Sequence, residues 1–592
     1  MTTTGSPLEE SALQQTKLLF GIADYSIFFA MMGLSVIIGI YYGFFAKQKQ
    51  DNTAEYLLGS KQMKVFPVAM SLTATHISAV TMIGVPSEVF RYGTQYWACA
   101  ISGLIVTIFM VYVFLPVFHE LQTASCYAYL EQRFNKNVRT FASFLFMLSC
   151  FLTCSIIIYT PAIAFSQVSG IDLHIVTPVI CCICIFYTTV GGIRAVVWTD
   201  TIQFGCMVIA LIVVMIIGTV KLGGLSSVFK IADVGERLIW FNTDPDPTLR
   251  SSFWQVSIGL TAMWISNVGV TPECVQRFLT VPDMSSAKKA VWIFGFGFVI
   301  VRLLSIYNGL LVFGEYHECD PVHSGLVQKY DQIFPYYVLN VAQHIPGLPG
   351  LIVVGIFSAA LSTLSTSMNT LSGTIYDDFI RSRYKMSESA ASNVVKVMVV
   401  IVGIICLLLV FVVEKLGSVF SLGISMAGVT SGTLLGIFSL GMFSPKVNAK
   451  GAFWGAVISL VTLCYIAVGA QLKILDGSLQ YESLPLHYDG CLGFNSTGTE
   501  TRGFHIVGEG HDNSDLPWIF RLGFMYYSLL GTIIAIITGI IISYLTGGQQ
   551  EPISEHLLTP WVRHLYKAVR CVDDYDCKVP NNLKVELTQV CK

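Results

Sequence analysis

Residues 67–91 read PVAMSLTATHISAVTMIGVPSEVFR. A helix needs roughly twenty residues to cross a bilayer core, and this run is long enough. Its middle, however, carries Thr75, His76, Ser78, Thr81, Gly84 and Pro86, which an ordinary anchor helix would not choose. Irregular backbone at membrane depth is tolerated only where it faces protein or a wet cavity, because each orphaned N–H or C=O is costly in hydrocarbon. The stretch therefore predicts a broken helix, the alternative being a structural helix kinked by proline.

The rest of the chain supplies the membrane that this reading requires. Of its 592 residues, 54% are hydrophobic and 12% charged, and the mean hydropathy is +0.65. A soluble domain carries about twice that share of charge. A net charge of −2, with no basic tail and no zinc-type cysteine spacing, gives no support for nucleic-acid binding. The polar opening, Met1 to Gln15 with Glu9 and Glu10, lacks a basic region leading into a short apolar one, so no cleaved signal peptide is expected. Most of the sixteen cysteines lie inside apolar segments and read as small buried hydrophobes.

Thirteen candidate spans follow: 23–45, 65–90, 95–117, 140–165, 171–190, 195–218, 252–275, 288–315, 346–375, 394–415, 417–441, 449–472 and 518–547. With the N-terminus (1–22) outside, the inner loops collect Lys47, Lys49, Lys61 and Lys64, then Arg133, Lys136 and Arg139, then Lys288 and Lys289, then Arg381, Arg383, Lys385 and Lys396. The outer loops hold fewer, and the positive-inside rule favours N-out, C-in. This topology places the sequon Asn495-Ser496-Thr497 outside, where Asn495 is open to glycosylation. It also places Cys319 and Cys491 in outer loops, an oxidising setting in which a disulfide between them is expected. The end, 548–592, is polar and reads as a cytosolic regulatory or disordered tail.

Two further features carry chemistry. Residues 355–379, GIFSAALSTLSTSMNTLSGTIYDDF, are rich in Ser and Thr, and Ala359, Ser362 and Thr363 share one helical face at i, i+3 and i+4. Neutral oxygens suit a hard monovalent cation that must also leave again; small hydroxylated residues also simply let helices pack closely. Asp200, in GGIRAVVWTDTIQ just inside the inner end of a span, is a costly intramembrane carboxylate unless the cytosol wets it.

At these residues the chain resembles the sodium/solute symporter family, in the branch of the sodium-dependent multivitamin, sodium-coupled monocarboxylate and sodium/iodide transporters. The likeness runs from about Asp24 to Tyr544 through EYLLGSKQM, SAVTMIGVPSEVFRYGTQYW, YLEQRFNKNVRT, GGIRAVVWTDTIQ, DPDPTLRSSFW, VQRFL, CDP with DQIFPYYV, and FSAALSTLSTSMN. The resemblance implies an all-α LeuT-type fold, with two inverted five-helix repeats at roughly 65–218 and 252–441 inside a transmembrane domain of 23–547. It implies a sodium site on Ala74, Ile77, Ala359, Ser362 and Thr363, the cluster that spacing had marked, with Asp200 beside the inner sodium route.

Substrate identity carries over less well. Thr271-Pro272-Glu273 precedes Gln276-Arg277 where relatives in this branch usually show an Asn-Gln pair, and Thr81 stands where some carry Gln. His76 matches a position that contributes to the sugar site of the glucose-transporting branch. His76, Ser78 and Thr81 are substrate candidates and leave room for a second ion. Arg302, inside an apolar span, can meet a substrate carboxylate, pair with a protein carboxylate, or snorkel. The leading expectation is a plasma-membrane symporter that uses sodium to import a small organic anion, a monocarboxylate or a vitamin such as biotin or pantothenate. The alternatives are a solute sensor or sodium-permeable channel on the same fold, or a symporter for iodide or another solute. An enzyme is not expected, since no paired carboxylates, nucleophile with base, or Gly-rich phosphate loop is apparent.

Overall fold

A computed structural model describes residues 20–45, 63–121, 125–342, 345–381, 383–384, 386–415, 419–487 and 515–573. Every regular element among them is helical. The main helices are α1 (Ile22–Ile40), α2 (Val65–His76), α3 (Ala79–Tyr92), α4 (Cys99–Phe109), α5 (Lys136–Ser169), α6 (Leu173–Lys221) and α7 (Leu260–Gly269). They continue with α8 (Pro272–Phe278), α9 (Met284–Tyr316), α10 (Leu348–Ile375), α11 (Glu388–Val413), α12 (Val419–Phe443), α13 (Ala449–Leu475) and α14 (Tyr527–Leu545). Side chains that compete for backbone bonds stand at several starts: Asn135, Asp172, Asp283, Ser387 and Asn448 each accept an N–H from the first turn that follows.

The break expected in residues 67–91 is present. Helices α2 and α3 meet at Ile77 and Ser78 with a bend of 51°. Among the described residues eleven spans are long and apolar enough to cross a membrane, and the bent pair makes twelve. The expected spans 171–190 and 195–218 are both present, as Leu173–Val190 and Ala195–Lys221, and helical backbone runs on between them within α6.

The thirteenth expected span, 252–275, is not one helix. A π-turn at Gln255–Gly259 leads into α7, which stops at Gly269, and α8 restarts at Pro272. The cause lies in the run Gly269-Val270-Thr271-Pro272. Proline clashes with a helical predecessor and pushes it to extended backbone, and Thr271 has φ −96° and ψ 143°. Proline then suits the first position of the next helix, where its missing N–H costs nothing. Among the described residues there are thus two broken helices, at the starts of the segments 65–218 and 252–441.

Close helix contacts position these breaks. Helix α10 lies at the centre: 94% of the residues in the apolar stretch of Leu348–Ile380 are buried, against 33% in that of Glu388–Val413. Helices α6, α5 and α1 pack around it. At its start Asp24 accepts the N–H of Gly350 at 3.0 Å, and a Cβ on Gly350 would stand 2.5 Å from the Asp24 carbonyl oxygen. Gly451 and Gly455 let α13 approach Gly539 of α14 in the same manner, where packing rather than the hydrophobic effect drives association.

The tail does not trail away at Gly547. Ile553, Leu557 and Leu558 are buried, Tyr129 donates to the Leu557 carbonyl at 3.0 Å, and Arg563 forks onto Glu120 at 2.9 Å. A helix then runs over Pro560–Asp573. Apolar residues at 553, 557 and 558 supply the docking surface that an overall polar composition conceals. Asn495 and Cys491 lie outside the described residues; Cys319 is disulfide-bonded.

Candidate ion and substrate site

Where α2 ends, its last carbonyls lose their intrahelical donors. Thr73 O takes the Ile77 N–H at 3.1 Å, and Thr75 O takes the Thr363 hydroxyl at 2.9 Å. The carbonyls of Ala74 and Ile77 belong to the same interrupted segment. Thr363 Oγ1 also lies 3.0 Å from Ala359 O on its own helix. One hydroxyl carries one proton, so Thr363 serves one carbonyl at a time and keeps lone pairs to spare. Ala74, Ile77, Ala359, Ser362 and Thr363 are all buried at this junction of α2 and α10. The structure therefore brings together the break and the hydroxyl face that the spacing had marked.

One turn deeper is a polar knot that connects four helices. Asp200 is fully buried, not wetted at a helix end. Its Oδ2 accepts from Ser71 Oγ at 2.7 Å and Arg277 Nη2 at 2.8 Å. Arg277, from the second broken helix, also donates to Ser71 O at 2.9 Å and to the hydroxyls of Thr75 and Thr366. The Ser362 hydroxyl lies beside the Asp200 carboxylate, yet Ser362 Oγ and Asp200 Oδ1 are both buried without a hydrogen-bond partner. Buried polar atoms are normally satisfied, and a hydroxyl oxygen and a carboxylate oxygen with lone pairs to spare are what a dehydrated cation seeks. Sequence reading missed Arg277, Ser71 and Thr366; the signal available was the arginine of VQRF inside an apolar stretch.

His76, Ser78, Thr81 and Arg302 all line one cavity of about 180 Å³ between the two breaks. Thr363 borders it too, so ion and cavity residues share a wall. Arg302 is buried, donates from Nη1 to Tyr96 Oη at 2.6 Å, and lies over the rings of Trp264 and Phe298 at 4.4 and 4.3 Å. Its Nε has no partner, and among the described residues no carboxylate pairs with it. It neither snorkels nor forms an internal ion pair. His76 is engaged by the protein, with Nε2 2.8 Å from Cys274 Sγ and its ring against Phe294.

Two broken helices around a cavity and an oxygen-rich junction are the arrangement of a secondary transporter. The chain belongs to the sodium:solute symporter family, whose model matches residues 56–459. It is 36% identical over 547 residues to the sodium-coupled monocarboxylate transporter 1 of Homo sapiens, covering 90% of this chain and 88% of that one. It is 31% identical over 571 residues to the sodium-dependent multivitamin transporter of Oryctolagus cuniculus, covering 94% and 89%. Among solved structures, a Na+-coupled sialic acid symporter shares the fold with a TM-score of 0.70 at 23% identity, over 90% of this chain and 99% of that one. The protein is thus a multi-pass, LeuT-type, sodium-coupled solute transporter and not an enzyme.

Proposed function

We propose that the protein imports a small organic anion, with a monocarboxylate or a carboxylate vitamin as substrate, across the plasma membrane, where a sodium gradient stands. Arg302 carries this reading. A buried, uncompensated charge costs several kcal/mol, and in this cavity the missing partner is supplied by a carboxylate entering from solution. The likeness to monocarboxylate and multivitamin transporters supports the same class. Sodium is read as bound by the carbonyls of Ala74, Ile77 and Ala359 with the hydroxyls of Ser362 and Thr363, and Asp200 as lining its inner route. Segments 65–218 and 252–441, each opening on a broken helix, are read as inverted repeats with the N-terminus outside.

Purified protein in sealed liposomes tests this. An inward sodium gradient should drive uphill accumulation of one or more of lactate, pyruvate, biotin and pantothenate, and none of choline or glucose. Arg302→Gln should raise the concentration for half-maximal uptake about 10- to 100-fold, the worth of a charge-assisted hydrogen bond. Iodide accumulation alone would replace the organic anion with an inorganic one. Sodium and solute binding without accumulation would make the protein a sensor.

A further inference from the structure

Glu273 faces the same cavity as Arg302 and is left over by the reading above. It stands on α8 directly after the second break and is half-buried. Two neutral donors engage it: Cys150 Sγ donates to Oε1 at 3.7 Å, and the Ser367 hydroxyl stands beside the carboxylate. Arg277 lies one turn on but directs its guanidinium to Asp200, Ser71, Thr75 and Thr366. Among the described residues no cation forms an ion pair with Glu273, so the cavity has a cationic wall at Arg302 and an anionic one at Glu273. A ligand with a carboxylate and an alkyl tail satisfies only the first. It also strips water from the lone pairs of Glu273 that Cys150 and Ser367 leave open, and acceptor capacity dehydrated without a replacement donor is penalised more than a made bond is rewarded.

We infer that Glu273 determines specificity, selecting carboxylates that carry a hydrogen-bond donor, hydroxyl or ammonium, at the end remote from the carboxylate. This rests on the organic-anion reading and narrows it.

The test is competition by propionate, 3-hydroxypropionate and β-alanine against sodium-driven uptake of a carboxylate, in liposomes bearing wild type, Glu273→Gln or Glu273→Leu. Wild type should favour at least one donor-tailed compound over propionate by about tenfold. Preference for β-alanine identifies an ammonium, and preference for 3-hydroxypropionate alone a hydroxyl. Glu273→Leu should erase the preference and improve propionate. If that variant fails to fold, Glu273→Gln decides, because a neutral amide oxygen accepts more weakly than a carboxylate and should lessen the advantage of a hydroxyl, and still more that of an ammonium, while sparing propionate. Equal inhibition by all three in wild type, or an unchanged order in both variants, overturns the inference and leaves organic-anion transport standing. Absence of sodium-driven uptake for every carboxylate overturns both.

Discussion

Asp200 Oδ2 and Arg277 Nη2 lie 2.8 Å apart with both side chains buried, tying α6 to the second broken helix. Ser71 of the first broken helix shares the same oxygen. Motion of either broken helix against α6 must therefore disturb this pair. Removing one partner of a buried ion pair leaves an uncompensated charge and costs about 3–5 kcal/mol. Asp200→Asn and Arg277→Gln should each lower the unfolding temperature of the purified protein. The double variant should recover much of that loss while sodium dependence stays impaired. Additive losses in the double variant would show that the two charges do not interact.

The hydroxyls of Ser362 and Thr363 give a sharper test of the ion site. Ser362 Oγ is buried and unbonded, and Thr363 Oγ1 bridges toward the Thr75 carbonyl. A cation stripped of water must find replacement oxygens at once. Ser362→Ala or Thr363→Ala should raise the half-saturating sodium concentration about tenfold, near 1.4 kcal/mol, at normal surface expression. Thr363→Ser should stay near wild type. Unchanged sodium dependence in both alanine variants would move the site elsewhere.

The legibility of these features in the sequence follows from how local their signals are. The first break is written in consecutive residues, Thr75 to Pro86, and the hydroxyl face of Ala359, Ser362 and Thr363 follows from helical spacing alone. The second break was signalled by Gly269 and Pro272, but its flanks are apolar enough to pass for one span. The Asp200–Arg277 pair joins residues 77 positions apart, and no periodicity reveals such a contact. Arg302 was visible as an anomaly; its freedom from protein carboxylates became visible only when the neighbouring helices were in place.

Cys319 is disulfide-bonded, and the topology that places its loop outside offers Cys491 as partner. Peptide mapping of non-reduced protein taken from the cell surface should recover a Cys319–Cys491 linked pair. Cys319→Ser and Cys491→Ser should then reduce surface stability alike, and the double variant should be no worse than either. Removing a native disulfide from a small secreted domain typically costs about 2–5 kcal/mol; a bundle this large should lose less of its stability. Recovery of both thiols free, or of Cys319 joined to another cysteine, would discard the pairing.

Transport is expected to be electrogenic, with at least two sodium ions for each monoanion. Each sodium ion entering down a tenfold gradient releases about 1.4 kcal/mol. A membrane potential of about 60 mV adds roughly the same for each net positive charge moved inward. One sodium with one monoanion moves no net charge, so accumulation stops near tenfold. Two supply about 2.8 kcal/mol chemically and about 1.4 electrically, or roughly a thousandfold. The structure leaves acceptor oxygens for more than one ion: the Thr363 junction at the first break, the unbonded pair Ser362 Oγ and Asp200 Oδ1, and the cavity hydroxyls of Ser78 and Thr81. Voltage clamp of cells expressing the protein should therefore record an inward, sodium-dependent current when substrate is added. The sodium-activation curve should be steeper than hyperbolic, and Ser362→Ala should flatten it by removing an oxygen from one of these positions. Robust sodium-dependent uptake of a monoanion with no accompanying current would leave a one-to-one electroneutral carrier, with sodium at the Thr363 junction alone.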